Sequence, residues 1–444
     1  MATTQTPKTT AERLDLITRR IPTQDVWGLD LIKERMDNES KLRTLRTLWA
    51  TSPTGRPHVG YFIPLLKMVE FLAADVEVVI YLLDVYSFLD NVKYPMEQVL
   101  HRMEYYKYTV HAMFEMLLGR PISSNIDLHV GKKDTRSYAT SAGVKFFQES
   151  TLHFMDGFIK DQWRLWAVTP QQAVRESWDR AYNPDMLSPM LCPGLQSLAE
   201  EWLHVDFQFG GTDQRGLFTY AERFLPQLGY SRRAHLMNPM LPNLFGDKMS
   251  SSHPPNTKIR LLDDEATVKD KVAKAHERSV AAAAAADNTT ENSNGTSDDL
   301  VIEKDNENGI LATLRDILIP ISQLQDEGIV SSQIATCPES NESVDEKKIS
   351  FCPRFTTPDA PKGSVFTVTI NKTADGGGEE EKKRVHFKSF EEIQSALQDK
   401  TLDMDVLVQN IADAIDSLMR PLREAYETNE DWQKADRLGY PEES

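Results

Sequence analysis

Up to about Pro255 the chain alternates short apolar runs rich in β-branched residues with amphipathic helical patterns. This alternation predicts two strands and two helices in turn, over Arg43–Ala50, Tyr61–Ala74, Val76–Val85 and Met96–Leu118. A third strand is predicted over Asp127–Val130. Strands that alternate with helices of this length are typical of a parallel sheet covered by helices. We therefore expect an α/β fold in this part of the chain.

Beyond Lys258 the pattern changes to mainly helical. Helices are predicted over Ile310–Leu324 and Val408–Leu422. The second carries apolar residues at alternating spacings of three and four, which indicates a face packed in a core: Val408, Ile411, Ile415, Leu418 and Leu422. Between these helices, Val365–Ile370 and Arg384–Phe387 are predicted to pair as a hairpin. The second region should therefore be a helical bundle with a small β ribbon.

Acidic residues outnumber basic ones by 67 to 50, which gives a net charge of −17. Much of this excess is local, because the six-alanine tract Ala281–Ala286 leads into Asp287–Asn308, a polar and acidic stretch almost without apolar residues. Such a segment cannot bury enough surface to offset its ordering entropy. We predict a disordered acidic insertion over about residues 281–308, and nucleic-acid binding by the remainder is not excluded.

Three cysteines, Cys192, Cys337 and Cys352, are too few for a disulfide framework, and no Cys or His spacing indicates a zinc site. We therefore predict no metal bound by protein ligands. The longest apolar run, Val76–Val85, contains two acidic residues and is shorter than the roughly 18 residues that a membrane-spanning helix needs. No apolar signal core begins the chain, so we expect a cytoplasmic protein without a membrane contact.

A turn-forming segment, Thr51–Tyr61, follows the first predicted strand and leads into a helix. It places His58 and Gly60 at the helix start, where N–H groups and a partial positive charge suit phosphate. Gly60 has no side chain, so an adenine ring can lie against the backbone there. The signal is weak alone, since a His-x-Gly triplet is expected about once by chance in a chain of this length.

Two further elements strengthen the nucleotide interpretation. Lys248–Ser252 lies in a loop setting of Gly, Ser and Pro, where a lysine can move onto a pyrophosphate, although a solvated loop lysine would be the default interpretation of this segment alone. In Val205–Gln214 a predicted strand ends at a glycine pair, followed by Asp213, which can accept hydrogen bonds from ribose hydroxyls. Three such elements in this order predict an ATP site.

These motifs resemble those of class I aminoacyl-tRNA synthetases, and specifically tyrosyl-tRNA synthetases of the eukaryotic and archaeal type. His58–Tyr61 corresponds to the HIGH signature and Lys248–Ser252 to the KMSKS loop. The resemblance covers about Ala11–Leu262, with further matches at Leu89-Asp90-Asn91, Pro193–Gln196, Asp213-Gln214-Arg215 and His235–Met240. It implies a Rossmann-like catalytic domain at 41–257 with an inserted dimerisation segment at about 95–190, an N-terminal helical extension at 1–40 and a mainly helical, anticodon-binding-like domain at 258–437.

The resemblance also implies a two-step reaction. An amino-acid carboxylate attacks the α-phosphate of ATP in the presence of Mg²⁺, and the adenylate then passes to the terminal adenosine of tRNA. Catalysis of this kind rests on positioning and charge stabilisation rather than on a covalent enzyme intermediate. The implied site has Thr51, His58 and Lys248 at the phosphates, Gly60 and Gly211 beside the adenosine, Asp213 at the ribose, and Gln214 and Ser250 completing the ATP contacts.

The amino-acid pocket departs from the family pattern. The tyrosine and the aspartate that hydrogen-bond the substrate phenol in tyrosyl enzymes are replaced here by Leu48 and Ala199, and the family tyrosine before Pro-Gly-Leu-Gln is Cys192. Burying the phenol without a partner would cost about 1–3 kcal/mol. We expect tyrosine to be a poor substrate and an apolar or para-substituted aromatic amino acid to be preferred. The pocket implied by the resemblance comprises Leu48, Ala50, Cys192, Gln196, Ala199 and Gln214, the two glutamines holding the substrate amino group.

Several alternatives stay open. The chain can be a genuine tyrosine–tRNA ligase in which Tyr81 or Tyr86 supplies a compensating contact, or an enzyme that passes its adenylate to a small amine. It can also be a non-catalytic RNA-binding relative, although intact His58 and Lys248 weigh against that. Phe355 lies near the place where the family stacks an aromatic ring on an anticodon base, and a core position fits it equally well.

A homodimer is also implied, because family members dimerise through the inserted segment. Met96–Leu118 and the run from Phe146 to Trp166 supply aromatic side chains for such a contact: Phe146, Phe147, Phe154, Phe158 and Trp163. The alternative is that these aromatic side chains belong to the core of the monomer.

Overall fold

A computed structural model describes residues 8–38, 44–90, 94–122, 143–178, 186–246, 249, 254–289, 308–331, 351–372 and 381–441. Its centre is a six-stranded sheet. The strands are β1 (Val26–Trp27), β2 (Leu45–Thr51), β3 (Val76–Leu82), β4 (Val144–Gln148), β5 (Phe207–Gly211) and β6 (Ala234–Asn238).

The sheet order is β1-β6-β5-β2-β3-β4, and all neighbours are parallel except β1, which is antiparallel to β6. Every residue of β3, and every residue of β2 except Ala50, is buried, as expected for parallel strands covered on both faces. The chain proceeds from β2 to β3 and β4 on one side, then crosses to β5 and β6 on the other. A crevice therefore opens where the carboxyl ends of β2 and β5 diverge.

Helices cover both faces of this sheet. They are α1 (Thr10–Thr18), α2 (Leu29–Asp37), α3 (Phe62–Ala73), α4 (Asp84–Leu89), α5 (Met96–Leu118), α6 (Ser150–His153), α7 (Asp156–Val168), α8 (Gln171–Glu176), α9 (Cys192–Trp202) and α10 (Arg215–Phe224). The predicted parallel α/β fold is confirmed. The N-terminal segment, predicted as a helical extension, also supplies β1, whose Val26 lies opposite Leu236 of β6.

The C-terminal region is mainly helical, as predicted. Its helices are α11 (Glu265–Thr289), α12 (Gly309–Thr313), α13 (Ile319–Asp326), α14 (Phe390–Gln398), α15 (Met404–Glu427) and α16 (Glu430–Gly439), with a π-helical turn at Leu314–Leu318 between α12 and α13. The predicted hairpin is present as antiparallel β7 (Phe366–Lys372) and β8 (Glu381–Phe387). The five apolar residues of the predicted stripe are all buried on α15.

Two local predictions differ from the structure, and a third concerns residues outside the described ranges. The strand predicted to reach Val85 ends at Leu82, because Asp84 begins α4 and its carboxylate accepts hydrogen bonds from Gln148 and from the Ser150 backbone N–H. The strand predicted at 127–130 lies outside the described residues, and the strand that pairs with β3 is β4. The alanine tract continues α11 as far as Thr289, since alanine has the highest helix propensity. The prediction of disorder is therefore wrong for 281–289, and residues 290–307 of the predicted insertion lie outside the described ranges.

The predicted aromatic cluster divides into two groups. Phe146, Phe147 and Phe158 are buried in the core, whereas Phe154 and Trp163 are 86% and 62% exposed. Phe355, at 7% exposure, packs in the C-terminal core, which agrees with the core interpretation of this residue. Cys192 and Cys352 are buried free thiols, and Cys337 lies outside the described residues. Within the described ranges, no helix is long and apolar enough to cross a membrane.

Candidate active site

The segment after β2 carries His58 into the crevice. Thr51 ends β2 and is buried, and its Oγ1 lies 3.5 Å from the Tyr61 hydroxyl. His58 is 7% exposed, forms a β-bridge with Arg260, and packs its ring edge-on against Tyr61 at a centroid distance of 5.2 Å. A short 3₁₀ turn, Val59–Tyr61, then leads into α3. The histidine is therefore held by both the sheet domain and the first residues of the C-terminal region.

Two glycines bring backbone to the surface of the crevice. A Cβ atom on Gly60 would lie 3.0 Å from the His58 ring, and one on Gly211 would lie 2.4 Å from Met240 Sδ and 2.5 Å from Asp213 Oδ1. Contacts below 3.0 Å require a neighbour to shift. The close packing at Gly211 therefore leaves no room for a larger residue without rearrangement.

The end of β5 supplies the polar side of the crevice. Asp213 is exposed in a 3₁₀ turn, Thr212–Gln214, that follows Gly211 and precedes α10. Gln196, buried on α9, donates from Nε2 to Oε1 of Gln214 over 3.0 Å. This hydrogen bond orients both side-chain amides at the edge of the crevice, next to Ala50 of β2.

Together these residues line one cleft with about 1020 Å³ of empty space, its open mouth included. The cleft brings together eight of the predicted site residues: Ala50, Thr51, His58, Gly60, Gln196, Gly211, Asp213 and Gln214. Lys248 and Ser250 lie outside the described residues. Met249, between them in sequence, is buried and lines the cleft, and its backbone N–H donates to the Leu241 carbonyl over 3.2 Å.

The three remaining pocket residues do not line the cleft. Leu48, Cys192 and Ala199 are completely buried in a second core cluster, together with Tyr81 of β3 and Phe147 of β4. Burial raises the pKa of the Cys192 thiol far above its usual range, so the group stays protonated. The sheet face beyond Ala50 is thus filled by side chains in this structure.

The segment from His235 to Met240 runs from the buried strand β6 to the lining of the cleft. His235 is 1% exposed; its Nε2 lies 2.9 Å from Glu200 Oε1, and its Nδ1 lies 3.6 Å from Glu222 Oε1. Burial alone would lower the pKa of His235, but the two carboxylates outweigh it and raise this pKa to about 9. At the far end of the stretch, Asn238 and Met240 line the cleft.

Several residues near the cleft were not predicted to have a role. Asn238 and Met240 line the cleft. They belong to a segment that resembles the family, but the resemblance assigned no role to either residue. Glu149, just after β4, is buried and close enough to Tyr81 to act on its pKa. His153 is half-buried, with Nε2 3.7 Å from Glu149 Oε1. The sequence feature that could have indicated a role for Glu149 is its position as a charged residue directly after an apolar strand. No group of three metal-ligating side chains occurs among the residues that the structure describes.

The chain matches the family model of class I tRNA synthetases (W and Y) over residues 40–308. It is 33% identical over 435 residues to the cytoplasmic tyrosine–tRNA ligase of Saccharomyces cerevisiae, which covers 97% of this chain and 88% of that protein. A cytoplasmic tyrosine–tRNA ligase of Xenopus tropicalis is 40% identical over 266 residues, or 59% of this chain and 45% of the relative.

Solved structures show the same fold. The tyrosyl-tRNA synthetase of Pyrococcus horikoshii, complexed with L-tyrosine, aligns with a TM-score of 0.65 at 13% identity, over 97% of this chain and all of that one. A tryptophanyl-tRNA synthetase of Encephalitozoon cuniculi aligns with a TM-score of 0.55 at 12% identity, over 96% of this chain and 94% of that one.

The chain therefore belongs to the class I tRNA synthetases of the tryptophan and tyrosine group. Within that group its curated relatives are tyrosine–tRNA ligases, and the chain is an aminoacyl-tRNA synthetase of this type.

Proposed function

We propose that this enzyme activates an aromatic amino acid to its adenylate with ATP and transfers it to tRNA. The observation that carries the proposal is the single cleft at the sheet's switch point, which gathers Thr51, His58, Gly60, Gly211 and Asp213. Parallel α/β folds bind nucleotides at this place. Residues 41–257 would form the catalytic domain and 258–437 the tRNA-binding domain.

In this proposal each cleft residue has a limited task. Thr51 and His58 contact the phosphates together with Lys248 and Ser250, while Asp213 accepts from the ribose hydroxyls. The substrate carboxylate attacks the α-phosphorus, and the bond to the pyrophosphate oxygen breaks. Catalysis consists of holding the two reactants in line and stabilising the negative charge on the leaving pyrophosphate, so no residue needs to act as a nucleophile.

The lining fits ATP better than it fits an independent metal site. The backbone at Gly60 and Gly211 forms a cradle that a Cβ atom would crowd, which suits a planar ring lying against the main chain. Asp213 is the one carboxylate among the described lining residues. Mg²⁺ would therefore be bound mainly by the phosphates of ATP, and its chemistry would be charge neutralisation there.

The amino-acid end of the cleft supports recognition of the amino group more clearly than recognition of a phenol. The paired amides of Gln196 and Gln214 face the place next to Ala50 where the amino group would lie. Leu48 and Ala199 offer only carbon. We therefore propose that specificity is shifted from tyrosine to an apolar or para-substituted aromatic amino acid. The buried hydroxyl of Tyr81 favours the para-substituted group, and it also keeps a tyrosine ligase with a compensated pocket as the second candidate.

The partners follow from the relatives rather than from the cleft. We propose tRNA as the acyl acceptor and a cytoplasmic location, because the curated relatives are named cytoplasmic tyrosine–tRNA ligases. We also propose a homodimer, in which the exposed Phe154 and Trp163 would be covered by the second subunit.

Pyrophosphate exchange into ATP, measured with a panel of aromatic amino acids and Mg²⁺, tests the activation step. Exchange should appear with at least one of them, and Lys248→Ala should slow it by more than about 100-fold. The absence of exchange with the whole panel would instead favour a non-catalytic RNA-binding relative.

Side-chain specificity is tested by restoring both family residues. The double variant Leu48→Tyr and Ala199→Asp should shift the preference toward tyrosine. Each single change should help less, because a lone buried phenol or carboxylate lacks its partner. A wild-type enzyme that uses tyrosine with a higher kcat/KM than every analogue would contradict the shifted specificity.

A further inference from the structure

A buried hydroxyl lies next to the cleft without a hydrogen-bond partner. Tyr81 of β3 is completely buried, and its hydroxyl has no partner among the described residues. In the sheet it lies opposite Ala50, which lines the cleft, and opposite Phe147, on which its ring stacks at 6.1 Å. Burial raises the pKa of Tyr81 well above its usual range, so the group is a neutral hydroxyl able to donate and accept.

A half-satisfied carboxyl group lies in the same layer. Glu149 is completely buried after the end of β4; its Oε2 accepts from the Tyr86 backbone N–H over 2.7 Å, whereas Oε1 has no hydrogen-bond partner in the described ranges. His153 Nε2 is 3.7 Å from that oxygen, beyond hydrogen-bond distance. Burial raises the pKa of Glu149. Asp84, by contrast, uses both of its oxygens, one for Gln148 and one for the Ser150 N–H.

Burying these polar groups without hydrogen-bond partners lowers the free energy of unfolding. Each buried polar atom without a partner costs about 1–3 kcal/mol. The side chains of Leu48, Ala199 and Phe147 are apolar and offer no hydrogen bond to either atom. His153 Nε2, 3.7 Å from Glu149 Oε1, can form an ion pair with that oxygen only when the histidine is protonated. A ligand group that pairs with both atoms would remove this cost on binding.

The position of the two groups indicates what such a ligand group must be. The substrate amino group is assigned to Gln196 and Gln214, at the β5 side of β2. In the family, the phenol is bound at the position of Leu48, on β2. Tyr81 is on the next strand, β3, and Glu149 follows the strand after that, β4. Neighbouring strands are about 4.8 Å apart. A side chain ending at the phenol position would stop short of both groups, whereas a longer para substituent would reach them.

We propose that Tyr81 and Glu149 form the side-chain subsite of this enzyme, and that the subsite selects an aromatic amino acid whose para substituent is longer than a hydroxyl and ends in a hydrogen-bond donor. The inference rests on the proposed amino-acid activation and specifies its substrate class. Because the intervening face is filled, the substrate ring enters by displacing side chains between Ala50 and this pair. Cys192 and Ala199 are the small residues of that wall.

Matched pairs of substrates test the proposal on the full-length protein. In pyrophosphate exchange, 4-(aminomethyl)phenylalanine and 4-(hydroxymethyl)phenylalanine should exceed 4-ethylphenylalanine in kcat/KM by at least about tenfold, since the three differ mainly in the terminal donor. Tyr81→Phe should reduce both preferences several-fold. Glu149→Gln should reduce the preference for the charged aminomethyl group and retain that for the hydroxymethyl group, because glutamine keeps an acceptor oxygen.

Tyr220→Phe is the matched control, because its hydroxyl is buried but pairs with Thr169 Oγ1 at 2.9 Å, on the helical layer away from the cleft. This control should leave the substrate preference unchanged and lower the thermal stability. Tyr81→Phe should not lower the stability, since it removes a hydroxyl without a partner.

The opposite results separate the two proposals. Equal or better use of the ethyl compound would overturn the subsite while leaving amino-acid activation intact. A destabilised Tyr81→Phe with an unchanged preference would show a structural role and overturn it as well. No exchange with any amino acid would overturn the proposed function, and the subsite with it.

Discussion

The C-terminal helix α16 holds the loop that precedes His58. Arg56, in that loop, donates from Nε to Asp436 Oδ1 over 3.0 Å and places its guanidinium 4.6 Å from the centre of the Tyr440 ring. The side chains of this ion pair are only 13% and 15% exposed, and Tyr440 is completely buried. Little solvent therefore screens the pair.

Helix α5 connects the same two elements. Arg102, 1% exposed, donates to the Thr54 carbonyl over 2.5 Å and to the Gly439 carbonyl over 2.6 Å. The Tyr106 hydroxyl donates to the Gly55 carbonyl over 2.5 Å. The loop that precedes His58 is thus fixed by residues from α5 and from α16.

We predict that Asp436→Asn weakens ATP binding specifically. The variant removes the charge but keeps an oxygen that can accept from the Tyr426 hydroxyl, as Asp436 does over 2.8 Å. A hydrogen bond between charged groups contributes about 1.5–3 kcal/mol. Because about 1.4 kcal/mol corresponds to a tenfold change in binding, the KM for ATP should rise about 10- to 100-fold. The KM for the amino acid should change little, since Gln196 and Gln214 lie outside this loop.

Pyrophosphate exchange at varied ATP measures this effect, with Asp431→Asn as the control on an exposed position of the same helix. The double variant with Arg56→Gln should be little worse than either single one, because both remove the same pair. If Asp436→Asn lowers the melting temperature but leaves the KM for ATP unchanged, α16 contributes only to stability and the inferred role in positioning the loop is wrong.

Three further predictions concern other parts of the molecule. The pKa of His235 is raised from 6.5 to about 9. Protonated His235 should therefore stabilise the folded state fully below about pH 6.5, and this contribution should be lost as the pH rises through 9. In urea unfolding, the difference in the free energy of unfolding between wild type and His235→Gln should narrow over that pH range. Gly211→Ala should raise the KM for ATP, because its Cβ would lie 2.5 Å from Asp213 Oδ1 and displace the carboxylate proposed to bind the ribose. Gly143→Ala should not raise it, since no atom of the described residues lies within 4 Å of that Cβ position. Light scattering should show a dimer at micromolar concentration, and Phe154→Asp with Trp163→Asp should shift it to monomer.

Elements with clear local boundaries could be predicted closely. Helix α5 has the predicted bounds because Pro95 precedes it and Gly119, at a φ of 62°, ends it in the left-handed conformation. The stripe on α15 was predicted from its spacing alone. In both cases the signal is contained within the element itself.

Elements whose identity depends on distant partners could not be predicted in this way. The Phe-rich run at β4 is equally compatible with a subunit contact and with a buried strand, and pairing with β3, more than 60 residues earlier, decides for the strand. The two exposed aromatics nearby, Phe154 and Trp163, cannot be separated from the buried ones by composition.

The candidate site divides in the same manner. The gathering of Thr51, His58, Gly211 and Asp213 in one cleft was predictable. These residues follow the ends of β2 and β5, and the fold brings parallel strand ends together. The amino-acid side was predicted from two replaced residues, Leu48 and Ala199, which showed only what had been removed. Tyr81, on β3, lies in the same core cluster as these two residues, and Glu149 follows the end of β4. Only the tertiary structure brings Tyr81 and Glu149 near each other.

One energetic argument covers both parts of the proposed pocket. Leu48 and Ala199 have no polar side-chain atoms, whereas Tyr81 and Glu149 have buried polar atoms without hydrogen-bond partners in the described part of the chain. Two unmatched buried atoms cost about 2–6 kcal/mol, a large share of the roughly 5–15 kcal/mol that keeps a domain folded. A substrate that pairs with both atoms regains this free energy, whereas an isostere without a donor leaves it unmatched in the complex. The difference corresponds to discrimination of about 30-fold or more. The apolar wall at Leu48 and Ala199 acts in the same direction, because it leaves a shorter phenol without a partner.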